Sequence, residues 1–416
     1  PNLNSFWRQP QRLPACAQDC PTVLRHLDLI GPLDWAHFPE RNLERNFGQP
    51  QIPYAALAAA ELIRLEQDLR SMGDLHLFLC EHPGFILLLG FPLVPAPNHP
   101  LHFNARASLP TVRHFTQMLR DLPNAAASFL LADSVRLILA ELAARQVAAP
   151  QCVSLDTKHI IGWVKENNPK AYVKERFNKH RQPKGDPDCR LGCKRQHNQG
   201  PPDGTPTHNP RAASGHKVGE FYWGYASGTV VAKVPDLGEF VIAELTQPFD
   251  HADQTYFFPL MAQVEAHLGY RPRFGALDAA FDAWYVYAYF YRDPDPTHGL
   301  AAVPFVAKGG YREGGRQFDP TGLPLCRAGL SMRLRQTFTD RSTCLIEHER
   351  GQYVCPLADG VRKRLPCPIR DRKAQHGGCT AAMPTSVGAR VRYQIDRKSE
   401  LYLSLYRQRT ADERIN

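Results

Sequence analysis

Beyond residue 150 the chain alternates between short apolar runs typical of strands and amphipathic runs typical of helices. The strand-like runs occupy residues 152–157, 220–234, 238–246, 271–278 and 301–308. Helical runs at 253–269 and 283–293 separate the later strands, and a last helix is predicted from the cap Ser399 onward. Alternation of this kind predicts an α/β fold, in which a mixed sheet is flanked by helices.

Residues 1–150 have the pattern of a helical domain instead. Segment 53–72 repeats apolar residues at helical spacing after Pro53, and segments 108–121 and 125–146 do the same. Ser108 is predicted to cap the second of these helices. A small helical domain suits DNA binding or dimerisation, and periodicity does not separate the two roles.

Three short signals predict where strands and helices end in the α/β part. Gly228 and the triplet Asp236-Leu237-Gly238 are predicted to form turns between strands. Asp253 stands just before an amphipathic run and is predicted to cap that helix.

Basic residues are concentrated in two segments. The whole chain of 416 residues has 50 Lys and Arg against 41 Asp and Glu, a net charge of +9. Residues 157–217 hold 13 basic and 5 acidic residues, and residues 361–398 hold 10 and 2. Because the rest of the chain is slightly acidic, these segments predict contacts with a polyanion, and nucleic acid is the first candidate. Solvated basic loops are the alternative.

Eleven cysteines in a chain of this length indicate a reducing compartment rather than a disulfide framework. Cys189, Cys193 and His197 follow a Cys-x3-Cys-x3-His spacing, and His208 is a candidate fourth ligand for a structural Zn²⁺. A second candidate group lies further along the chain and consists of Cys326, Cys344, Cys355, Cys367 and Cys379. Buried free thiols are the alternative for both groups.

Apolar runs in this sequence are too short to cross a bilayer. The richest of them extends only from Phe85 to Phe91, whereas a spanning helix needs about 20 apolar residues. No contact with a membrane is therefore predicted.

Three acidic residues stand where they could hold a divalent cation. Asp156 and Asp278 each end a strand, and Glu413 lies on the last helix. Carboxylates are disfavoured in apolar surroundings unless they are paired or bind a metal, and Mg²⁺ prefers such oxygen ligands. Asp282 is an alternative to Asp278, although its position at the start of a helix is also that of a cap.

The last stretch, YRQRTADERIN, carries three residues that suit a nucleic-acid site. On a helix, Tyr406 and Glu413 share a face, and Arg409 lies about 60° from the first and about 40° from the second. Arginine binds phosphate with two parallel hydrogen bonds, and tyrosine offers a stacking face. The alternative is an exposed helix with incidental charges.

These residues resemble a known family. Tyr406, Arg409 and Glu413 match the Tyr-x2-Arg-x3-Glu signature of one branch of the DDE transposases of bacterial insertion sequences. SLDTKHI, FYWGYASG and GALDAAFD resemble, in this order, the family's first catalytic strand, its middle strands and the segment with its second catalytic aspartate. The signature's lysine would fall at position 420, which, together with a first residue other than Met, predicts a truncated chain.

The resemblance implies a ribonuclease-H-like core in which Asp156, Asp278 and Glu413 hold Mg²⁺ or Mn²⁺. It implies cleavage of a phosphodiester bond at the ends of the element, followed by attack of the freed 3′-hydroxyl on target double-stranded DNA. Four domains follow from it: a helical domain (1–150), the first part of the catalytic core (151–308, with a basic loop at 166–217), an irregular or β-rich insertion (309–398) and the last catalytic helix (399–416).

By this resemblance Tyr406 and Arg409 would hold DNA beside the cut. Lys158 and His159 are candidate phosphate contacts because they stand beside Asp156, and a peripheral position is the alternative. Two element ends imply a homodimer in the active complex. The expected location is the bacterial cytoplasm, in association with the nucleoid.

Three other functions stay open at this point. A domesticated or decayed relative would bind DNA without cutting it. A structure-selective nuclease on the same core would not need Tyr406 and Arg409. A basic RNA-binding protein should display exposed aromatic platforms, and none stands out in the sequence.

Overall fold

The computed structural model divides into two compact units, Pro1–Ala148 and Ala149–Asn416. The residues that it describes are 3–44, 51–194, 220–307, 315–341, 345–357, 367, 369 and 379–415. His197, His208 and Cys344 lie outside these ranges, as does the later part of the 166–217 loop.

Helices build the first unit. They are α1 (Leu3–Arg8), α2 (Ala15–Gln18), α3 (Pro21–Ile30), α4 (Tyr54–Glu66), α5 (Met72–Glu81), α6 (Gly84–Leu89), α7 (Ala105–Ser108), α8 (Val112–Asp121) and α9 (Asn124–Ala144). Helix α4 starts directly after Pro53, and its buried run from Ala55 to Ala60 lets α3, α6 and α8 pack closely around it. Small side chains at such a crossing shorten the distance between helix axes, so α4 lies at the centre of this core.

The predicted cap Ser108 is wrong. Ser108 ends α7 instead, and its hydroxyl donates to the carbonyl of Asn104 at 2.8 Å. The cap of α8 is Thr111, whose Oγ1 accepts from the backbone N–H of His114 at 3.3 Å. Pro110 explains the shift, because a proline disfavours helical backbone in the residue before it and the helix can only begin beyond it.

A six-stranded mixed sheet forms the centre of the second unit. Its strands are β1 (Cys152–Ile161), β2 (Arg190–Lys194), β3 (Glu220–Val234), β4 (Gly238–Pro248), β5 (Phe274–Leu277) and β6 (Leu300–Ala302). Strand β1 pairs antiparallel with β3 on one side and parallel with β5 on the other, and β6 extends the sheet parallel to β5. The far edge of β3 carries β2 along its first part and β4 along the rest. The predicted α/β class with a mixed sheet is confirmed.

Helices cover both faces of this sheet. On one face lie α10 (Phe257–Leu268) and α11 (Trp284–Phe290), since a Cβ on Gly275 would meet the ring of Phe290 at 2.4 Å. On the other face lies α13 (Glu400–Tyr406), whose Leu405 joins a cluster with Leu300 and Cys152. Side chains alternate between the faces along a strand, so Asp156 points to the same face as Cys152, the face of α13.

The predicted turn at Gly228 is wrong, because β3 runs through this residue without a break. A Cβ here would lie 2.5 Å from Cδ1 of Tyr256. Glycine is therefore needed for close packing of the segment before α10 on the strand, and not for a change of chain direction.

The region 309–398 is β-rich in its described part. Strands β7 (Arg333–Asp340), β8 (His348–Val354) and β9 (Thr380–Pro384) form a small antiparallel sheet. The helix α12 (Val387–Gln394) then leads back to the core and packs on α11 so tightly that a Cβ on Gly388 would lie 2.0 Å from the carbonyl oxygen of Trp284.

Ser399 caps α13 as predicted, with its Oγ accepting from the backbone N–H of Tyr402 at 3.3 Å. The prediction of one continuous last helix is wrong. A 3₁₀ turn, Arg407–Arg409, follows α13, and a separate short helix α14 (Thr410–Ile415) comes after it. The Thr410 hydroxyl donates to the carbonyl of Arg407 at 2.9 Å, the kind of side-chain bond that competes with the helical ladder. Within the described part of the chain, no helix has both the length and the apolar character that crossing a membrane requires.

Candidate active site

Two aspartates stand side by side where β1 and β5 part. Leu155 of β1 pairs in parallel register with Leu277 of β5, and each leucine is followed directly by an aspartate, Asp156 or Asp278. Neighbouring strands lie about 4.8 Å apart, so the register alone brings the two carboxylates to the same place. Both predicted acids thus meet at one point on the sheet. The prediction that Asp156 ends its strand is wrong, because β1 leaves β5 there but continues beside β3 to Ile161.

Asp156 is partly buried and lies near both positively and negatively charged side chains. Burial raises the pKa of this carboxyl, while the backbone N–H of Thr157 and the guanidinium of Arg409 lower it. The charges of Glu413 and Asp253 raise the pKa again. The Thr157 N–H donates to Asp156 Oδ1 at 2.8 Å. The ionised form of Asp156 is therefore destabilised by its surroundings and only partly compensated.

Asp278 has the more strongly shifted pKa of the two. Burial raises the pKa of Asp278 to about 6, and the nearby charges of Asp156 and Asp253 add to the effect. A hydrogen bond from the backbone N–H of Ala280 at 2.8 Å and the charge of Arg409 work in the opposite direction. That hydrogen bond makes Asp278 the cap of the 3₁₀ turn Ala279–Phe281.

Tyr406, Arg409 and Glu413 contact one another in spite of the break in the helix. The Arg409 guanidinium lies 5.6 Å from the centre of the Tyr406 ring, and its Nη1 is 2.7 Å from Oε1 of Glu413. Arg409 is largely buried, whereas 46% of the Glu413 side chain is exposed. The 3₁₀ turn and α14 both pack against β1, so this trio lies over the strand that carries Asp156.

A fourth acidic residue that the sequence analysis missed anchors α14. Asp412 is fully buried, and its Oδ1 accepts from the hydroxyl of Thr229 on β3 at 2.6 Å. Thr229 is the register partner of Asp156 across β1 and β3, so the two side chains share a face. Asp412 therefore places its neighbour Glu413 above Asp156.

Asp253 was expected to be a helix cap, and this prediction is wrong. The cap of α10 is Tyr256, and the side chain of Asp253 accepts instead from the hydroxyl of Thr157 on β1 at 3.0 Å. Its charge raises the pKa of both Asp156 and Asp278. Nothing in the local sequence separates this role from capping, because the contact joins residues 96 positions apart.

Asp282, the alternative to Asp278, has a different environment. It is 2% exposed, and its carboxylate accepts from the Tyr287 hydroxyl at 2.7 Å, from the Val306 N–H at 2.7 Å and from Arg392 Nε at 2.8 Å. A second bond comes from Nη2 of Arg392. These donors occupy both oxygens, so Asp282 holds α11 to α12 and is not a cap. Of the two candidates, only Asp278 adjoins Asp156 in register.

The side chains of Lys158 and His159 lie on opposite faces of β1. Lys158 is exposed and lies on the same face as Asp156, two residues further along β1. The next residue points to the opposite face, and the His159 ring there packs 4.3 Å from the ring of Phe249. Lys158 is thus exposed on the face of the acidic site, whereas His159 belongs to an aromatic cluster on the opposite face.

The candidate zinc ligands are only partly described. Cys189 is fully buried, its Sγ donates to the carbonyl of Asp186 at 3.1 Å, and burial raises its pKa to about 11. Cys193 is exposed on β2, and the third candidate, His197, lies outside the described ranges. Among the insertion cysteines, Cys355 is buried. The zinc site stays a prediction.

The acidic residues fit a divalent cation only in part. In the described ranges, no group of three or more His, Cys, Asp or Glu side chains could hold a metal ion. Asp156 and Asp278 do fit Mg²⁺ as a pair, because they are hard oxygen donors whose mutual repulsion a cation would relieve. Glu413 could join them only after leaving Arg409.

Comparisons of the chain with protein-family models, with curated proteins and with solved structures found no match.

Proposed function

We propose that this chain is a DDE-type DNA transposase that cuts the ends of its element and joins the freed 3′ end to target DNA. The observation that carries the proposal is the register of β1 and β5, which sets Asp156 and Asp278 side by side. The proximity of Glu413, whose charge raises the pKa of Asp156, adds the third expected acid.

The fold that we infer for the catalytic part is ribonuclease-H-like. Three features support it: a mixed sheet with β1 at its centre, helices on both faces, and acids at the point where the parallel strands diverge. Ligands of open α/β sheets bind at the carboxyl ends of such diverging strands.

The residues that would hold Mg²⁺ or Mn²⁺ are Asp156 and Asp278, with Glu413 as the third. Bound metal would lower the pKa of an attacking water and stabilise the leaving oxygen of the phosphodiester. The raised pKa of Asp278 means that this carboxyl carries a proton below about pH 6. Asp278 must therefore lose that proton before it can act as a ligand.

Arg409 and Tyr406 would hold the DNA strand at the site. When Glu413 turns away, the Arg409 guanidinium becomes available to donate two hydrogen bonds to a phosphate. The ring of Tyr406 keeps the guanidinium in place. Lys158 would bind a second phosphate of the same backbone. Binding of two element ends requires at least two copies of the chain, and a bacterial element would place the enzyme at the nucleoid in the cytoplasm.

A nicking assay tests the proposal. Supercoiled plasmid, or better a duplex with the inverted repeats that flank the gene, is incubated with Mg²⁺, Mn²⁺ or a chelator. We expect metal-dependent cleavage that falls at least about 100-fold in Asp156→Asn, Asp278→Asn and Glu413→Gln. The control is Asp250→Asn, a change in an exposed loop. Cleavage by all three variants at the wild-type rate would rule the assignment out.

DNA binding without cleavage is the second candidate. The Arg409–Glu413 ion pair favours it, since an acid that is already paired is a poor metal ligand. In that case the wild-type chain would bind duplex DNA with or without metal, and Glu413→Gln would change neither binding nor the absent cleavage.

A further inference from the structure

Two aromatic side chains project into solvent from the segment that follows β1. Trp163 is 100% exposed and Tyr172 is 86% exposed, and Phe177 nearby is 47% exposed. Tryptophan and tyrosine are usually mostly buried, because their rings are large and apolar. Their exposure here in one short segment indicates a surface that receives a partner.

The segment is firmly attached to the sheet. Asn167 Nδ2 donates to the carbonyls of Gly162 and Trp223, both at 2.7 Å, and its Oδ1 accepts from the Trp223 N–H at 2.8 Å. Further along, Trp223 Nε1 donates to the carbonyl of Arg176 at 2.7 Å. The exposed rings are thus carried on a backbone that is tied down at both ends.

The exposure of Trp163 follows from the packing of its two neighbours. Val164 is buried in a cluster with Trp223 and Cys189. Gly162 is pressed against β3, where an added Cβ would lie 3.1 Å from the carbonyl oxygen of Trp223. With both neighbours directed inward, the ring of Trp163 has only the solvent side left.

Positive charge predominates in the segment that carries these rings. Residues 157–184 contain eight Lys and Arg and two Glu. The exposed lysines of this segment are Lys158, Lys165, Lys170, Lys174, Lys179 and Lys184. Glu175, one of the two acids, is 3.4 Å from Arg181. A basic surface interleaved with aromatic rings complements a polyanion that has flat, apolar groups along its length.

We propose that Trp163 and Tyr172, with the lysines around them, form a binding surface for unpaired nucleotides of DNA. Lysines would follow the phosphates, and the rings would stack on bases. In a closed duplex the base faces are hidden by their neighbours, so fully exposed rings gain most from unpaired bases. The requirement for unpaired nucleotides distinguishes this surface from the phosphate contact proposed for Arg409.

The surface follows directly on the strand that carries Asp156. Trp163 follows Asp156 by seven residues, which corresponds to roughly 20 Å along a strand, or about six base-pair steps of 3.4 Å. This placement rests on the proposed function and suggests that DNA melts near the cut. The stacking itself does not depend on cleavage.

The test measures binding in a chelator, so that no cleavage occurs. Fluorescence anisotropy follows the full chain on a labelled oligothymidylate of about 20 nucleotides and on a blunt duplex of the same length. The variants are Trp163→Ala, Tyr172→Ala and Trp163→Phe. Leu237→Ala is the matched control, because Leu237 is 39% exposed in the turn at the far end of β3.

We expect each alanine variant to bind the oligothymidylate about 10-fold more weakly, with duplex affinity nearly unchanged. Trp163→Phe keeps a stacking ring and should retain most of the affinity. Equal weakening for both DNAs would show a general charge surface, and unchanged binding with altered self-association would show a protein contact. Either result overturns the proposal.

Asp156→Asn separates this test from that of the proposed function. It should keep oligothymidylate binding even if it abolishes cleavage. If the chain binds unpaired DNA through Trp163 but never cleaves DNA, the proposed binding surface is supported and the proposed transposase function is wrong.

Discussion

Asp278 and Asp282 are four residues apart and both withdrawn from solvent, yet their surroundings differ in kind. Asp282 is enclosed by donors from Arg392, Tyr287 and Val306, which satisfy both of its oxygens. Asp278 has one backbone donor, from Ala280, and lies among the like charges of Asp156 and Asp253. A buried acid with a full set of partners holds elements of the fold together, whereas the ionised form of one held among like charges is destabilised unless a cation is near.

The environment of Asp282 extends into a wider network. Arg397 Nη2 donates to the Tyr287 hydroxyl at 3.0 Å and to the carbonyl of Arg392 at 3.1 Å, and its Nε donates to the carbonyl of Val303 at 3.0 Å. This network binds α12 and the residues that follow it to α11 and the end of β6. It therefore sets where α13 begins, and through α13 the positions of Arg409 and Glu413.

The largest expected effect is on the Asp282 side of the comparison. Asp282→Ala leaves the buried Arg392 without its counter-charge and should lower the free energy of unfolding by about 3–5 kcal/mol. Urea unfolding of the purified chain measures the change, with Asp250→Ala in an exposed loop as the control. A loss below about 1 kcal/mol would contradict the structural role.

Asp278→Asn should change the free energy of unfolding in the opposite direction. Asparagine keeps an oxygen for the Ala280 N–H and removes the destabilising charge, so at pH 7 it should raise the free energy of unfolding by roughly 1–3 kcal/mol, allowing for solvent screening. The same variant should lose cleavage. A stability loss of similar size would show that Asp278 is a structural acid like Asp282.

The pH dependence of that difference checks its origin. Because the folded-state pKa of Asp278 is raised from 3.8 to about 6, the folded protein binds the proton more tightly than the unfolded chain. The wild type is thus favoured below about pH 4 and loses this contribution as the pH rises through about 6. The advantage of Asp278→Asn should be near zero at pH 4 and largest above pH 6.

Arg409→Gln should increase the destabilisation of the ionised carboxylates of Asp156 and Asp278. Arg409 lowers the pKa of both Asp156 and Asp278, so its removal should raise both pKa values. Carboxyl chemical shifts measured by NMR would follow the titrations, with Arg407→Gln, an exposed neighbour, as the control. Unchanged titrations would mean that Arg409 acts only on Glu413.

Asp253→Asn should produce the smallest change, in the reverse direction. Loss of this like charge should lower the pKa of Asp156 and Asp278, while the amide oxygen still accepts from the Thr157 hydroxyl. The same NMR titration detects it. An upward shift would show that Asp253 acts by excluding water and not through its charge.

Local patterns predicted the long strands because apolar and β-branched runs need no distant partner to be recognised. They were wrong for β2, whose residues were assigned to a loop, and for the predicted strand 301–308, which is only Leu300–Ala302. Strand β3 was bounded correctly from such a run, and the cap Ser399 was found from its residue type and position. The errors share a cause. At Gly228, Asp253 and Ser108 the residue type is explained by a contact with a segment that is distant in the sequence. The neighbouring residues do not reveal such contacts.

The exposed rings show the same limit. No aromatic platform stood out in the sequence, since Trp163 and Tyr172 look like any other aromatic residues in a polar segment. Only the packing of Gly162 and Val164 against Trp223 turned Trp163 outward. Exposure is a property of neighbours in space, which composition does not encode.

The sequence by itself determined that Asp278 would follow the end of a strand and that Tyr406, Arg409 and Glu413 would stand at fixed spacing. It did not show that β1 continues beyond Asp156 to Ile161. Tertiary structure decided which aspartate belongs to the site. The register of β1 against β5 placed Asp278 beside Asp156. Asp282 is bound instead by Arg392, which lies 110 residues away in the chain. Strand pairing and buried ion pairs join distant segments, and the energy of such contacts is set only when the whole chain has folded.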